Sequence, residues 1–161
     1  TNQRSDEYAA STKFVSDLIK GCKQVMSSSS VLSFRCSVHM VDNPMIRYSK
    51  ESMDFELIVN TLEQIGIDVI HCSQLDAKRN LFGTNKRLHE IIREITELPL
   101  IVCGGIKSLA EANAIIAEDK NTLVAFGRNF IPNPNLVDLL RTDNESAIIK
   151  FDYEKHISTI Y

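Results

Sequence analysis

Apolar residues recur along the chain in two alternating patterns. Spacings close to 3.6 residues predict amphipathic helices, and the short apolar runs between them predict strands. The first helix is predicted over residues 13–26, where Phe14 and Leu18 share a face, and a strand over residues 31–38 follows a turn of four serines. The same alternation predicts further helices at 52–65, 84–97, 108–120 and 133–141, and further strands at 67–72, 100–103 and 123–126.

Helix ends carry their own local signals. Gly66 follows the second helix, where a left-handed residue commonly ends a helix. Ser108 and Glu111 have the spacing of a capping box. Asn133 and Pro134 predict the cap and the first residue of the last helix.

Apolar strands that alternate with amphipathic helices predict a parallel sheet covered by helices. Two architectures fit this order: a doubly wound open sheet, or half of a (β/α)8 barrel. A whole barrel needs about 250 residues, whereas this chain has 161. Thr1 is not a natural start, so we expect a segment upstream of it. We therefore favour the C-terminal half of a (β/α)8 TIM barrel, as one domain over residues 1–161.

The composition argues against several kinds of binding partner, among them nucleic acids, membranes and metals. A net charge of −3 argues against a nucleic-acid surface, which is usually basic. No run approaches the roughly 20 apolar residues of a membrane span. The four cysteines form no CxxC pair, which favours buried thiols in a cytoplasmic protein. The four histidines have no ligand spacing, so no metal site is predicted.

Glycines stand at the ends of the last two predicted strands. Gly104 and Gly105 follow one strand, and Gly127 and Arg128 follow the next. In a barrel, the loops after the last two strands commonly form a phosphate site. Glycines let backbone N–H groups approach an anion, and an arginine binds its oxygens with a planar fork. The alternative is that these glycines only permit tight turns; we favour phosphate binding.

Arg35 lies inside the predicted strand of residues 31–38. A charge in a barrel strand is costly unless it meets an anionic or electron-rich partner. Arg35 either points into the barrel or pairs with an acid between sheet and helices. His71 and Cys72 end another strand, and His39 follows that of Arg35; each either lines a site or is satisfied by internal hydrogen bonds.

Several stretches together resemble the old yellow enzyme family of FMN-dependent NADH:flavin oxidoreductases. Residues 2–8 resemble the family's Asn-x-Arg-x-Asp-Glu-Tyr run after the fourth strand. Residues 31–38 resemble the fifth strand, and residues 101–106 and 123–128 resemble the seventh and eighth. Residues 130–136 resemble the characteristic continuation of the eighth strand.

The resemblance implies FMN as cofactor and NADH or NADPH as reductant, with hydride passed to a small-molecule electron acceptor such as an activated alkene. It implies that Arg35 contacts the N1/O2 edge of the flavin. It also implies that Gly104, Gly105, Gly127 and Arg128 hold the phosphate. A cation near N1/O2 stabilises the negative charge of reduced flavin.

The family's substrate-anchoring histidine or asparagine pair and its proton-donating tyrosine are expected upstream of Thr1. The chain alone should therefore be inactive and need the N-terminal half of the barrel, in the same polypeptide or in another chain; a homo-oligomer is a further option. Residues 8–11 read Tyr-Ala-Ala-Ser where the family has Tyr-Gly-Gly-Ser. Tyr161 in the tail is a further candidate site residue.

Two other functions stay open on the sequence. One is a phosphate-binding barrel of the aldolase or isomerase type, for which Asp76 is the best candidate catalytic carboxylate. The other is a noncatalytic flavin-binding remnant, which the altered loop at residues 8–11 favours.

Overall fold

The computed structural model describes residues 5–9, 11–39 and 52–156. Residues 2–4 and Ala10 of the predicted loop motif lie outside the described residues, and so does Tyr161.

Helices and strands alternate as the sequence predicts. No helix in the described ranges is long and apolar enough to cross a bilayer. One further short helix follows the predicted elements in the tail, at Tyr153–His156. The helices are α1 (Lys13–Val25), α2 (Ser52–Gln64), α3 (Leu88–Arg93), α4 (Leu109–Glu118), α5 (Leu136–Arg141) and α6 (Tyr153–His156), and the strands are β1 (Ser33–Cys36), β2 (Val69–Ser73), β3 (Leu100–Cys103) and β4 (Thr122–Ala125).

The four strands form one parallel sheet in the order β1-β2-β3-β4. A doubly wound sheet reverses its strand order at a switch point, and this sheet has no reversal. A barrel adds each strand beside the preceding one, so the order matches four successive strands of a (β/α)8 barrel. Of the two architectures that the sequence allows, the structure has the half barrel.

The apolar core lies on one face of the sheet. Leu100 and Val102 of β3 point to the same side, and each is 1% exposed. Leu100 belongs to a cluster with residues of α1, α2 and α3, whereas Val102 packs with Ala112 and Ile115 of α4. Helices α1 to α4 therefore cover the same face, as expected for crossovers of one hand between neighbouring strands.

Helix α3 is shorter than the predicted span of residues 84–97. It begins at Leu88 because Arg87 is extended and serves as its N-cap. The Glu90 carboxylate accepts the Arg87 backbone N–H at 2.6 Å and two guanidinium N–H groups at 2.8 and 2.9 Å. Upstream, the Thr84 hydroxyl accepts the Lys86 backbone N–H and holds a turn. Arginine is not among the usual N-cap residues, so the start of α3 could not be predicted from the local sequence.

We expect Glu90→Gln to lower the free energy of unfolding by about 1 kcal/mol at pH 7, because an amide keeps the cap but loses the ion pair. The Arg87 guanidinium lowers the pKa of Glu90 to about 2. Protonation on acidification therefore removes the carboxylate's contribution, which is complete above its ordinary pKa near 4.5 and lost towards pH 2. Urea unfolding at pH 7 and pH 3 should show the difference shrinking. Exposed Glu94, changed to Gln, is the control and should have little effect.

The other predicted helix signals have mixed outcomes. Gly66 has φ +79°, as a left-handed C-terminal residue should. The Ser108 hydroxyl accepts the Glu111 backbone N–H at 3.1 Å, but the Glu111 carboxylate accepts Lys107 N–H and not that of Ser108. Half of the predicted capping box is therefore present.

The prediction that Asn133 caps the last helix is wrong. Helix α5 begins at Leu136 with Asn135 as its N-cap. The Asn133 side chain is 2% exposed and donates to the carbonyl oxygens of Asn129 and Ile149. Its own oxygen accepts the Ile149 N–H at 2.9 Å. Asn133 thus ties the segment after α5 to the turn after β4, a contact that local sequence cannot reveal.

Candidate functional site

The face of the sheet opposite the helices carries the candidate site, and we call it the open face. Strand register aligns one residue from each strand across it, because Arg35 pairs with His71, His71 with Ile101, and Ile101 with Leu123. Leu123 is 61% exposed and Arg35 is also exposed. In a closed barrel this face lines the interior. By strand alternation, the open face holds Ser33, Arg35, His71, Ser73, Ile101, Cys103, Leu123 and Ala125.

Arg35 lies on the open face and not between the sheet and the helices. Its Nη2 donates a hydrogen bond of 2.8 Å to the Ser73 hydroxyl. Ser73 is two positions beyond His71, the register partner of Arg35. The guanidinium therefore points towards the carboxyl ends of the strands, where barrel active sites lie.

His71 stands beside Arg35 as an uncharged group. Burial, and then the positive charge of Arg35, lower the pKa of His71 below its ordinary value of 6.5. The ring is consequently neutral at pH 7 and does not repel the arginine. Its Nε2 is buried without a hydrogen-bond partner in the described part of the chain, as is the Gln74 side-chain Nε2 just beyond β2.

Gly104 is required by packing within the chain. Its φ is +135°, and a Cβ there would lie 2.1 Å from the Gln74 carbonyl oxygen. The loop after β2 crosses the end of β3 at this point, and the Ala77 N–H donates to the Gly104 carbonyl oxygen at 2.9 Å. Gly105 has φ +63° and faces the backbone of Leu75 and Asp76 less closely. The tight-turn interpretation thus accounts for Gly104 without any ligand.

Gly127 has a different environment. Its φ is −103°, which other residues can adopt, and a Cβ there would meet no atom within 4 Å. Packing of the chain therefore does not explain this glycine. Arg128 follows it, is exposed, and opens a short 3-10 turn, Arg128–Phe130.

The two glycine-bearing loops lie at one edge of the sheet. Parallel strands β3 and β4 pair Cys103 with Ala125, so the residues that follow them are neighbours. Among the described residues, the backbone N–H groups of Gly104, Gly105, Gly127 and Arg128 find no acceptor. Unpaired N–H groups on neighbouring loops favour an anion where they point to a common space, so the shared anion site stays a prediction.

Ion pairing also sets Arg35 and Arg128 apart from the helix arginines. Arg87 pairs with Glu90 and Glu118, and Arg93 pairs with Asp119. Neither Arg35 nor Arg128 pairs with an acid anywhere in the described ranges. Both guanidinium groups can therefore bind an external electron-rich group at little cost in broken contacts.

The remaining candidates have structural roles or lie apart. The Asp76 carboxylate accepts the Lys78 N–H at 3.0 Å and stabilises a turn. A hydrogen bond with Cys36, together with burial, raises the pKa of the Cys72 thiol, which packs on the helix side of the sheet. His39 is buried and lines a cavity of about 140 Å³ with Arg79 and its neighbours.

The chain matches a known protein family along most of its length. The model of the NADH:flavin oxidoreductase / NADH oxidase family matches residues 1–146. The chain belongs to this family. The old yellow enzyme resemblance read from the sequence is thereby confirmed at the level of the family.

Two curated relatives of this chain have the names of oxidoreductases. An NADH oxidase from Thermoanaerobacter brockii is 28% identical over 163 residues, which cover 93% of this chain and 24% of that protein. An NADPH dehydrogenase from Clostridium acetobutylicum is 26% identical over 142 residues, which cover 85% of this chain and 42% of that protein. The chain spans less than half the length of either relative.

Solved structures establish the fold independently. An old yellow enzyme homologue from Zymomonas mobilis matches with a TM-score of 0.71 at 23% identity, over 100% of this chain and 44% of that one. Morphinone reductase matches with a TM-score of 0.72 at 23% identity, over 100% of this chain and 42% of that one. The half-barrel architecture agrees with these coverages.

Proposed function

We propose that this chain forms the FMN-binding C-terminal half of a (β/α)8-barrel oxidoreductase. Bound FMN would supply the hydride chemistry, with NADH or NADPH as reductant and an activated alkene or a similar small molecule as acceptor. The observation that carries the proposal is the position of two arginines that have no acidic partner in the described ranges: Arg35 lies on the open face and Arg128 lies at its carboxyl edge. The matched family, described by its flavin, supports the same cofactor.

The phosphate of FMN fits the loops after β3 and β4. Space beside Gly127 is empty of protein atoms, so a group from outside the chain can approach its backbone. In this proposal the N–H groups of Gly104, Gly105 and Gly127 donate to the phosphate, and the Arg128 guanidinium forms a charge-assisted pair with it. This chain's residues thereby fix one end of the cofactor.

Arg35 would hold the opposite, pyrimidine end. Its guanidinium already points to the carboxyl ends of the strands through the bond to Ser73. A fixed positive charge beside the flavin ring stabilises the negative charge that reduction adds. Arg35 would therefore bind reduced FMN more strongly than oxidised FMN.

The proposal also requires that further strands complete the barrel. Strands β1 and β4 each have one unpaired edge in the four-stranded sheet, and unpaired edges favour association with further strands. Phe14 and Leu18 of α1 are 50% and 53% exposed, which leaves apolar surface for further elements to cover. We infer that four more strands, in the same polypeptide or another chain, close the barrel, and that a second copy could do so in their absence. The chain alone should reduce nothing.

Arg35→Met tests the proposed function. Loss of the positive charge should weaken the binding of reduced FMN about thirtyfold relative to the binding of oxidised FMN. This ratio corresponds to a change of about 45 mV in the potential of a two-electron couple. Titration of the full chain with oxidised and with dithionite-reduced FMN measures both dissociation constants.

Arg141→Met is the matched control, because Arg141 is an exposed arginine of α5 whose guanidinium pairs with Asp138 and does not lie on the open face. It should leave the ratio of the two constants unchanged. An equal ratio in the wild type and in Arg35→Met would reject the flavin role of Arg35. Absence of flavin bands from the absorption spectrum of the complete barrel, with both halves present, would favour the aldolase or isomerase alternative.

A further inference from the structure

We propose that Ser73 is the positioning residue that fixes the Arg35 guanidinium on the open face, and that it thereby sets how strongly the site favours reduced over oxidised FMN. This inference rests on the proposed function. It adds a residue of β2 to a site otherwise built from β1, β3 and β4.

The hydrogen bond between Arg35 and Ser73 crosses from one strand to the next. Arg35 Nη2 lies 2.8 Å from Ser73 Oγ, within the range of a well-formed bond. Ser73 is 5% exposed and its backbone belongs to β2, paired with Cys103 of β3. The acceptor is therefore held in place by the sheet, whereas the donor is the end of a long, exposed side chain.

Arg35 needs such an anchor to have one orientation. A free arginine side chain carries about 2 kcal/mol of rotamer entropy. Ser73 lies two residues past the register partner of Arg35, or about 6–7 Å further along the strand. A bond to its hydroxyl therefore selects the rotamers that carry the guanidinium to the carboxyl edge of the sheet.

The groups aligned with Arg35 across the open face carry no negative charge that would hold the guanidinium elsewhere. The aligned neighbours are neutral His71 and the apolar side chains of Ile101 and Leu123. In the next row, Cys103 and Ala125 stand beside Ser73. Within the described residues, Ser73 is the side chain to which the guanidinium is hydrogen-bonded, and this bond places the positive charge at the carboxyl edge.

The first test measures flavin preference. Ser73→Ala should lower the preference of the full chain for reduced over oxidised FMN by about fivefold, or about 20 mV for a two-electron couple. Ser73→Thr keeps a hydroxyl and should restore most of the preference. In the Arg35→Met background, Ser73→Ala should have no further effect, because the residue acts only through the arginine.

The second test requires no flavin. In the ¹⁵N-labelled full chain, the Arg35 guanidinium N–H signals should be distinct and protected from exchange. Ser73→Ala should average them to the position of a free arginine, with the backbone spectrum otherwise retained.

These outcomes separate the inference from the proposed function. Unchanged guanidinium signals in Ser73→Ala would overturn the positioning role, whether or not FMN binds. An equal loss of flavin preference with and without Arg35 would overturn it too, since Ser73 would then act on the fold. If the signals change but wild type binds no FMN, the positioning stands and the proposed function fails.

Discussion

Gly104→Ala should destabilise the protein by about 4 kcal/mol, a large part of the stability of a typical domain. The added Cβ would lie 2.1 Å from the Gln74 carbonyl oxygen, and that neighbour is backbone and cannot rotate away. A φ of +135° adds strain, because side-chain-bearing residues rarely adopt it. Moving the β2 loop would also break the bond from the Ala77 N–H to the Gly104 carbonyl oxygen. Urea denaturation followed by circular dichroism measures the loss.

Gly127→Ala is the matched control for this change. It adds the same methyl group where no atom lies within 4 Å and where φ is −103°. The free energy of unfolding should change by less than about 1 kcal/mol. FMN binding should nevertheless weaken, because the methyl enters the space that we assign to the phosphate. Equal stability losses at Gly104 and Gly127 would contradict the structure of these loops.

Arg128→Met should weaken FMN binding by on the order of 100-fold. The proposed contact joins a guanidinium fork to a phosphate, and such charge-assisted bonds are roughly twice as strong as neutral ones. In the described ranges the Arg128 side chain has no ion pair or hydrogen bond, so the variant removes no polar contact within the chain. Fluorescence titration of FMN into the full chain gives the affinity, and thermal unfolding should be nearly unchanged.

Riboflavin provides the control for Arg128, because it has the ring system of FMN without the phosphate. Its affinity should be the same for wild type and for Arg128→Met. A parallel loss of riboflavin and FMN affinity would mean that Arg128 acts on the ring or on the fold. No loss for either ligand would remove Arg128 from the site.

The sequence predicted the alternation of elements because each helix buries one apolar stripe, as Phe55, Val59 and Leu62 of α2 do. It could not choose between a doubly wound sheet and a half barrel, because both have the same local pattern. Strand order decided the question, and strand order depends on contacts between distant residues. The placement of Arg35 was open for the same reason, since alternation gives two faces but does not say which one is covered.

Other features were hidden because they join residues far apart in the chain. Ser73 is one short polar residue at a strand end, and only register brings it to Arg35, 38 residues away. Gly104 has the same sequence signal as Gly127, yet backbone crowding explains the first and not the second. One sequence signal could have suggested Ser73: it is a polar residue at the end of a strand, and the neighbouring strand contains an arginine.

Backbone NMR of the ¹⁵N-labelled full chain, titrated with FMN, tests the proposed cofactor site even where binding is weak. We predict that FMN shifts the amide signals of Gly104, Gly105, Gly127 and Arg128 together with the side-chain signals of Arg35. Inorganic phosphate should shift only the loop amides, and riboflavin chiefly Arg35. Absence of shifts at millimolar FMN, or shifts confined to the helix side of the sheet, would contradict an FMN site at the carboxyl ends of β1, β3 and β4.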